Sequence, residues 1–176
     1  MDTAKILSDL VAGKIFQQAF GKTADVKFQT EVRAACEKNY CGMYGKCWVC
    51  PPGVGDLDSL AKKYAEYENF FVFTTKHAIE DSFDIEGMTA ARKEHRTVEE
   101  LLLPAVQKNG LALLGAGGCD LCEKCSYPDA PCRNPARAIP SMEAAGINVV
   151  ELAHDTGVNY HNGENTVTYF SIVFFN

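Results

Sequence analysis

Residues 70–119 read FFVFTTKHAIEDSFDIEGMTAARKEHRTVEELLLPAVQKNGLALLGAGGC, and this stretch carries the pattern that decides the fold. It opens with an apolar run, residues 70–73, whose aromatic and β-branched side chains predict a strand buried on both faces. Apolar residues then recur at helical spacing, which predicts a long helix from near Glu86 to a stop at Gly110. Residues 111–114 form a second apolar run. We expect it to be a strand parallel to the first, joined to it by a right-handed crossover.

The sequence on either side predicts further helices and strands around this unit. Apolar spacing, alternation and capping residues predict a helix over residues 3–20, a strand over 26–33, a helix capped by Asp56, a short helix over 142–145 capped by Ser141, a helix capped by Asn148, and a strand over 166–174. The fold class is therefore α/β or α+β, with a small mixed sheet flanked by helices. We expect a single metal-binding domain over residues 1–176, with cysteine-rich loops at strand ends over residues 36–52 and 115–135.

Composition excludes several classes of protein. The chain of 176 residues is 47% hydrophobic and 23% charged, as in an average globular protein. Its formal charge of −6 has the wrong sign for a principal nucleic-acid or anionic-membrane partner. No window approaches the roughly 20 apolar residues that span a bilayer, and the N-terminal residues do not resemble a signal peptide. The sequence therefore predicts a cytoplasmic protein.

The eight cysteines fall into two groups of four, which matches the ligand count of two four-coordinate sites. In a reducing compartment such thiols indicate metal binding or catalysis rather than disulfides. The candidate ligands are Cys36, Cys41, Cys47 and Cys50 in the first group, and Cys119, Cys122, Cys125 and Cys132 in the second.

The spacing in the second group favours a [4Fe–4S] cluster. Its C-x2-C-x2-C run places three thiolates on one tight loop, whereas zinc sites generally use separated pairs of cysteines. Our default assignment is local, with Cys132 as the fourth ligand. A crossed arrangement, in which Cys50 serves the second loop, stays open because Cys50 rather than Cys132 is followed by proline.

The first group, C-x4-C-x5-C-x2-C, is looser and by spacing alone fits either zinc or iron–sulfur. Ligand type and compartment favour iron–sulfur here too. The expected cofactors are therefore two [4Fe–4S] clusters, with zinc as the alternative.

Several longer strings carry a family resemblance. They are CEKNYC (36–41), YGKCWVCPP (44–52), GGCDLCEKC (117–125), PCR (131–133) and PSMEAAGINV (140–149). With its Y-G-x-x-W-x-C-P-P and G-G-C-x-x-C-x-x-C motifs, the sequence resembles an uncharacterised prokaryotic family of predicted metal-binding, cysteine-rich proteins that is common in anaerobes. The resemblance runs from about residue 30 to the C-terminal strand. It implies metal binding by all the cysteines except Cys47, whose position in the family pattern is often a polar residue.

Three functions fit these residues. The first is an electron-transfer or redox-sensing module that docks with a redox partner protein. The second is an enzyme, because a cluster with only three cysteine ligands exposes one iron to substrate. The third is a structural zinc protein. We prefer the first, and Cys47 discriminates it from the second. The sequence indicates neither the oligomeric state nor the identity of partner or substrate.

Overall fold

A computed structural model describes residues 2–176. Its helices are α1 (Thr3–Val11), α2 (Thr30–Glu37), α3 (Leu57–Ala65), α4 (Ile85–Asn109) and α5 (Val149–Thr156); its strands are β1 (Gln17–Lys22), β2 (Asn69–Ala78), β3 (Ala112–Leu114) and β4 (Thr166–Phe175). Short 3₁₀ helices occupy Thr23–Asp25 and Glu143–Ala145. Within this described part of the chain, no helix is long and apolar enough to cross a membrane.

The four strands form one sheet in the order β1-β2-β4-β3, and every neighbouring pair is antiparallel. Phe73 of β2 lies opposite Ser171 of β4, and Leu113 of β3 lies opposite Val173. The predicted small sheet with flanking helices is confirmed. The two strands that were expected to be parallel, β2 and β3, are not neighbours in the sheet, because β4 lies between them. Those two strands run in the same direction without touching, and the sheet is antiparallel rather than mixed.

Both faces of the sheet are covered by helices. Alternate residues of β2 point to opposite faces, so Phe71 and Phe73 pack towards α1 and α4 while Phe70 and Val72 pack towards α3 and α5. The continuous apolar run at residues 70–73 therefore marks a central strand buried on both sides, as predicted.

Local end signals are confirmed for three of the helices. The carboxylate of Asp56 accepts a hydrogen bond from the backbone N–H of Ser59, and the Asn148 side chain caps α5 in the same way. Gly110 ends α4 in the left-handed conformation, with φ at +63°. Ser141 caps the 3₁₀ helix by accepting from the N–H of Ala144.

The predicted helix over residues 3–20 is wrong in its second half. Helix α1 ends at Val11, and Gly13 turns the chain with a φ of +72°. Residues 17–22 then form β1, whose side chains alternate between half-buried and exposed. This alternation has the period of a strand, and pairing with β2 outweighs any helical preference.

The predicted strand over residues 26–33 is also wrong. Phe28 makes an isolated bridge to Ile147, and residues 30–37 form α2. The Arg33 guanidinium fixes this helix by donating to the backbone carbonyls of Ala144 and Gly55. Those contacts are distant in sequence, so the alternation of side chains could not reveal them.

A neutral histidine lies in the core between the sheet and α4. His95 is 1% exposed, and its two ring nitrogens lie within hydrogen-bond distance of Thr75 and Ser171. Burial lowers the pKa of His95 to about 3, well below its usual value.

The buried His95 should make the fold sensitive to acid. Between its ordinary pKa of about 6.5 and its folded value, only the unfolded chain binds the proton. The contribution of neutral His95 to the free energy of unfolding is therefore complete above its ordinary pKa of about 6.5. It is lost as the pH falls below that value, and the free energy of unfolding then decreases by at most about 1.4 kcal/mol per pH unit. Urea unfolding of His95→Gln at about pH 7, 6 and 5 should show a smaller acid slope than wild type. The exposed His161→Gln is the control, and an unchanged slope in His95→Gln contradicts this account.

Candidate metal centre

The first cysteine loop starts from a helix rather than from a strand. Cys36 lies in the last turn of α2, and the chain then turns through Asn39, Gly42 and Gly45, which all have positive φ. The expectation that this group follows a strand end is therefore corrected. The second loop does follow a strand, since β3 ends at Leu114 and leads to Cys119.

Three cysteines of the first group line one cavity of about 260 Å³, which we call the first cavity. They are accompanied by residues from the second cysteine loop and from the 3₁₀ helix. Its lining is Cys36, Cys41, Met43, Tyr44, Cys50, Pro51, Gly117, Gly118, Ser141, Glu143 and Ala144.

All four cysteines of the second group line a separate cavity of about 370 Å³, which we call the second cavity. Cys47 from the first group lies in this wall too. The remaining lining residues are Met43, Gly45, Lys46, Leu121, Glu123, Lys124, Ser126, Tyr127, Arg133 and Asn134. The structure thus divides the cysteines three and five between the cavities.

Cys47 and Cys50 form a hydrogen-bonded pair between the cavities. The Cys50 thiol donates to the sulfur of Cys47, which also accepts from the backbone N–H of Cys119. This pairing lowers the pKa of Cys47 and raises the pKa of Cys50. Both residues are buried, at 1% and 7% exposure. Cys47 is therefore held against the second loop while it keeps contact with Cys50 of its own sequence group.

Met43 forms a wall that the two cavities share. A Cβ on Gly118 would lie 2.6 Å from the Met43 Cε, so the two loops are in close contact at this point. Met43 packs with Cys47, Val49 and Cys50 in a small apolar cluster. The two cavities are consequently separated by one layer of side chains.

Other thiols are held in their protonated form by partial burial. Burial raises the pKa of Cys36 and of Cys119. A thiol must lose its proton to ligate a metal, so metal binding at these residues releases protons. Within residues 2–176, no group of three or more His, Cys, Asp or Glu side chains is arranged to hold a metal ion. The thiols line cavity walls instead.

Cations surround the second cavity. Lys46, Lys124 and Arg133 line it together with one carboxylate, that of Glu123. This positive charge offsets the negative charge of thiolates in the second cavity. Arg133 is fixed by donating to the Lys124 carbonyl at 2.8 Å.

Two further groups near the second cavity were not predicted as parts of the site. The Asn134 Nδ2 donates to the Cys122 sulfur at 3.3 Å. Arg92 of α4 donates to the carbonyl of Ala116 and pairs with Asp120. An asparagine and a distant helical arginine carry no spacing signal, so the sequence could not single them out.

The first cavity contains an acid as well as thiols. Glu143 lines the cavity, and its side chain is exposed to solvent there. Desolvation by the surrounding protein raises the pKa of its carboxyl group. Its backbone carbonyl lies 3.8 Å from the Cys36 sulfur. Ser141, on the same short segment, also lines the cavity. From the sequence, Ser141 is predicted as the cap of a short helix and Glu143 as part of its first turn.

Comparison with known proteins agrees with the cysteine motifs. The family described as "Predicted metal-binding protein (DUF2284)" matches residues 21–175. The chain belongs to the DUF2284 family. This span contains all eight cysteines, and the family resemblance drawn from the motifs is confirmed. Metal binding is supported for DUF2284 proteins in general, without a named metal. No curated protein and no solved structure matches the chain.

Proposed function

We propose that the protein binds two [4Fe–4S] clusters, one in each cavity, and exchanges electrons with a redox partner protein. The observation that carries this proposal is the pair of adjacent cavities, each lined by at least three cysteine thiols. Soft thiolate donors suit iron–sulfur clusters and zinc. A [4Fe–4S] cluster supplies one-electron redox chemistry when bound.

The donor arrangement favours clusters over zinc. A zinc ion needs four ligands that meet at one point, about 2.3 Å from each sulfur. Thiols spread around the walls of a cavity instead suit a larger group with one ligand at each corner. In the second cavity, Cys119, Cys122, Cys125 and Cys132 would hold the cluster. In the first cavity, Cys36, Cys41 and Cys50 would hold it.

The surroundings also support electron transfer. The shared Met43 wall keeps the two sites close, which favours exchange between them. Lys46, Lys124 and Arg133 offset negative charge in the second cavity, and the chain as a whole carries −6. A partner with a basic docking surface is therefore expected for the acidic remainder of the protein.

Metal analysis tests the cofactor. Protein purified without oxygen should contain iron and acid-labile sulfide in equal amounts, with little zinc, and should be brown. Dithionite should bleach the visible absorption and produce a paramagnetic resonance signal. Colourless protein with stoichiometric zinc and no sulfide would exclude this proposal and favour the structural zinc protein.

A second candidate function is substrate binding in the first cavity. It is favoured by the three-cysteine lining together with Glu143 and Ser141, which could bind and orient a polar substrate there. An iron without a cysteine ligand can bind a substrate atom as a Lewis acid. If this function applies, cyanide should shift the paramagnetic resonance of the reduced protein. An unchanged spectrum would exclude this function and would leave electron transfer as the only proposed function.

A further inference from the structure

A continuous row of hydrogen-bonded side chains crosses the core between the sheet and α4. His77 Nε2 lies 2.8 Å from the hydroxyl of Thr75, which lies 2.8 Å from His95 Nδ1. On the other side of that ring, His95 Nε2 lies 2.8 Å from the Ser171 hydroxyl, which donates to Glu99 Oε1 at 2.7 Å. We call these five residues, His77, Thr75, His95, Ser171 and Glu99, the relay.

When Glu99 is ionised, the hydrogens of the relay point in one consistent direction. A hydroxyl has one hydrogen, so Ser171, which donates to Glu99, must accept from His95 Nε2–H. Because His95 is neutral, its Nδ1 then carries no hydrogen and accepts from Thr75. Thr75 must in turn accept from His77 Nε2–H. Each donor thus faces the next acceptor, from His77 inward to the carboxylate of Glu99.

The outer end of the relay reaches solvent. His77 Nδ1 lies 3.1 Å from a carboxylate oxygen of Glu94, a side chain that is 72% exposed. Both residues line an open groove of about 490 Å³. Protons from water can therefore enter at the Nδ1 atom of His77.

The inner end lies beneath the second cysteine loop. Glu99 is 2% exposed and accepts from the backbone N–H of Ala116, three residues before Cys119. A Cβ on Gly115 would lie 2.0 Å from Glu99 Oε1, so the loop passes directly over the carboxylate. The three relay residues between the two ends are at most 5% exposed, which leaves the relay as the polar connection from His77 to this loop.

Charged and titratable side chains of the neighbouring elements face Glu99. From α4 they are Arg96, 3.8 Å from Glu99 Oε2, Arg92, and His95 at 3.6 Å. From β2, His77 acts through the relay, while β4 contributes the uncharged Ser171. Arg96 also acts on Cys119, so the same cation lies within electrostatic reach of the carboxylate and of the loop.

We propose that the relay carries one proton from solvent to Glu99 when negative charge is added in the second cavity. The added negative charge is one electron from a reductant, a step that rests on the proposed function. One electron then enters the second cavity, and one proton enters the relay. Burial raises the pKa of Glu99, so its carboxylate is already a strong proton acceptor for a glutamate.

The proton transfer balances along the row. A proton from water first binds Nδ1 of His77, at its solvent-facing side. The His77 Nε2–H bond then breaks as its proton moves to Thr75, and each following group passes one hydrogen onward. An O–H bond forms on Glu99, and His77 is left neutral with its hydrogen on Nδ1. The net change is one proton taken from solvent for one negative charge added.

The equilibrium test measures the reduction potential of the iron-loaded protein between about pH 5 and 8. The reduction potential of the wild-type protein should fall by about 59 mV for each unit by which the pH rises. This shift corresponds to a tenfold change in the equilibrium constant of a one-electron reduction. Glu99→Gln keeps the shape of the side chain and should give a flat profile. Glu100→Gln, the neighbouring residue on α4, should behave as wild type. A flat wild-type profile, or an unchanged slope in Glu99→Gln, overturns the coupling.

The kinetic test needs no iron. After a pH drop from about 8 to 5, infrared spectroscopy should detect the carbonyl stretch of protonated Glu99, identified by its loss in Glu99→Gln. Thr75→Val breaks the row and should slow this signal at least tenfold without changing its final amplitude. Thr74→Val, which also loses a hydrogen bond but lies outside the relay, is the matched control.

The two tests separate the possible failures. Protein without iron would exclude the proposed function, and the infrared rates would still decide whether the relay conducts. If Thr75→Val protonates Glu99 as fast as wild type does, or if no Glu99 signal appears, the relay is refuted even when both clusters are present.

Discussion

Replacing Cys122 with serine is expected to remove the iron of the second cavity, close to half of the total, and to lower the melting temperature by about 5 °C or more. Cys122 is the central thiol of the C-x2-C-x2-C run and accepts a hydrogen bond from Asn134. From residue 116 to residue 135 no residue of the loop is fully buried. A metal bound by this loop would therefore contribute much of its stability.

Ser126→Ala provides the control for this prediction. Ser126 lies in the same loop and donates to the Pro131 carbonyl, but it offers no thiol. We expect it to keep its iron and to melt within a few degrees of wild type. Limited proteolysis should cut the loop of Cys122→Ser and spare that of Ser126→Ala. A Cys122→Ser protein with full iron content and unchanged melting would remove this residue from the metal site.

Replacing Cys50 and Cys47 in turn is expected to give opposite results, although the two residues are neighbours in sequence and in space. Cys50 lines the first cavity, so Cys50→Ser should lose the iron bound there. Cys47 lines the second cavity, where four other cysteines are available. Cys47→Ser should therefore retain nearly all iron. Serine preserves size in both variants, so differences in packing are small.

Iron content and paramagnetic resonance of the two variants measure this difference. Retention of iron in Cys47→Ser, together with a cyanide-induced shift in wild type, would favour an open coordination site. Loss of the first-cavity signal in Cys47→Ser would instead support four cysteine ligands from the first sequence group, the arrangement that the sequence alone had favoured.

Signals carried by a few adjacent residues were predictable. Asp56, Asn148 and Gly110 end their helices through side-chain capping or a left-handed backbone, and these devices need no distant partner. The buried run in β2 was equally clear because both faces of a central strand are apolar. Local signals thus predicted strands β2, β3 and β4 and helices α3, α4 and α5, but not β1, α2 or the order of the strands in the sheet.

Signals that depend on distant contacts were not predictable. The α2 segment has no buried residue, so its apolar pattern says little about its conformation. Arg33 holds it through carbonyl groups at Ala144 and Gly55. The same limit applies to the partition of the cysteines. Spacing grouped Cys47 with its sequence neighbours, whereas contact with the Cys119 backbone places it in the second cavity.

The histidines illustrate a third limit. His77 and His95 have no metal-ligand spacing in the sequence, and nothing in the sequence indicates that the two are connected. Their connection through Thr75 and Ser171 depends on the register between β2 and β4. A shift of one residue would turn these side chains to the other face of the sheet.

The position of β4 has a consequence for the order of events during synthesis. β4 follows β1, β2 and β3 in the sequence, yet it lies between β2 and β3 in the sheet. While the ribosome is still making residues 166–175, β3 lacks the strand with which it pairs, so one attachment of the second cysteine loop to the sheet is missing. By then both cysteine loops have been synthesised, and they lie outside the ribosome or in its exit tunnel with reactive thiols. We therefore expect metal loading in the native arrangement to follow the addition of the last strand.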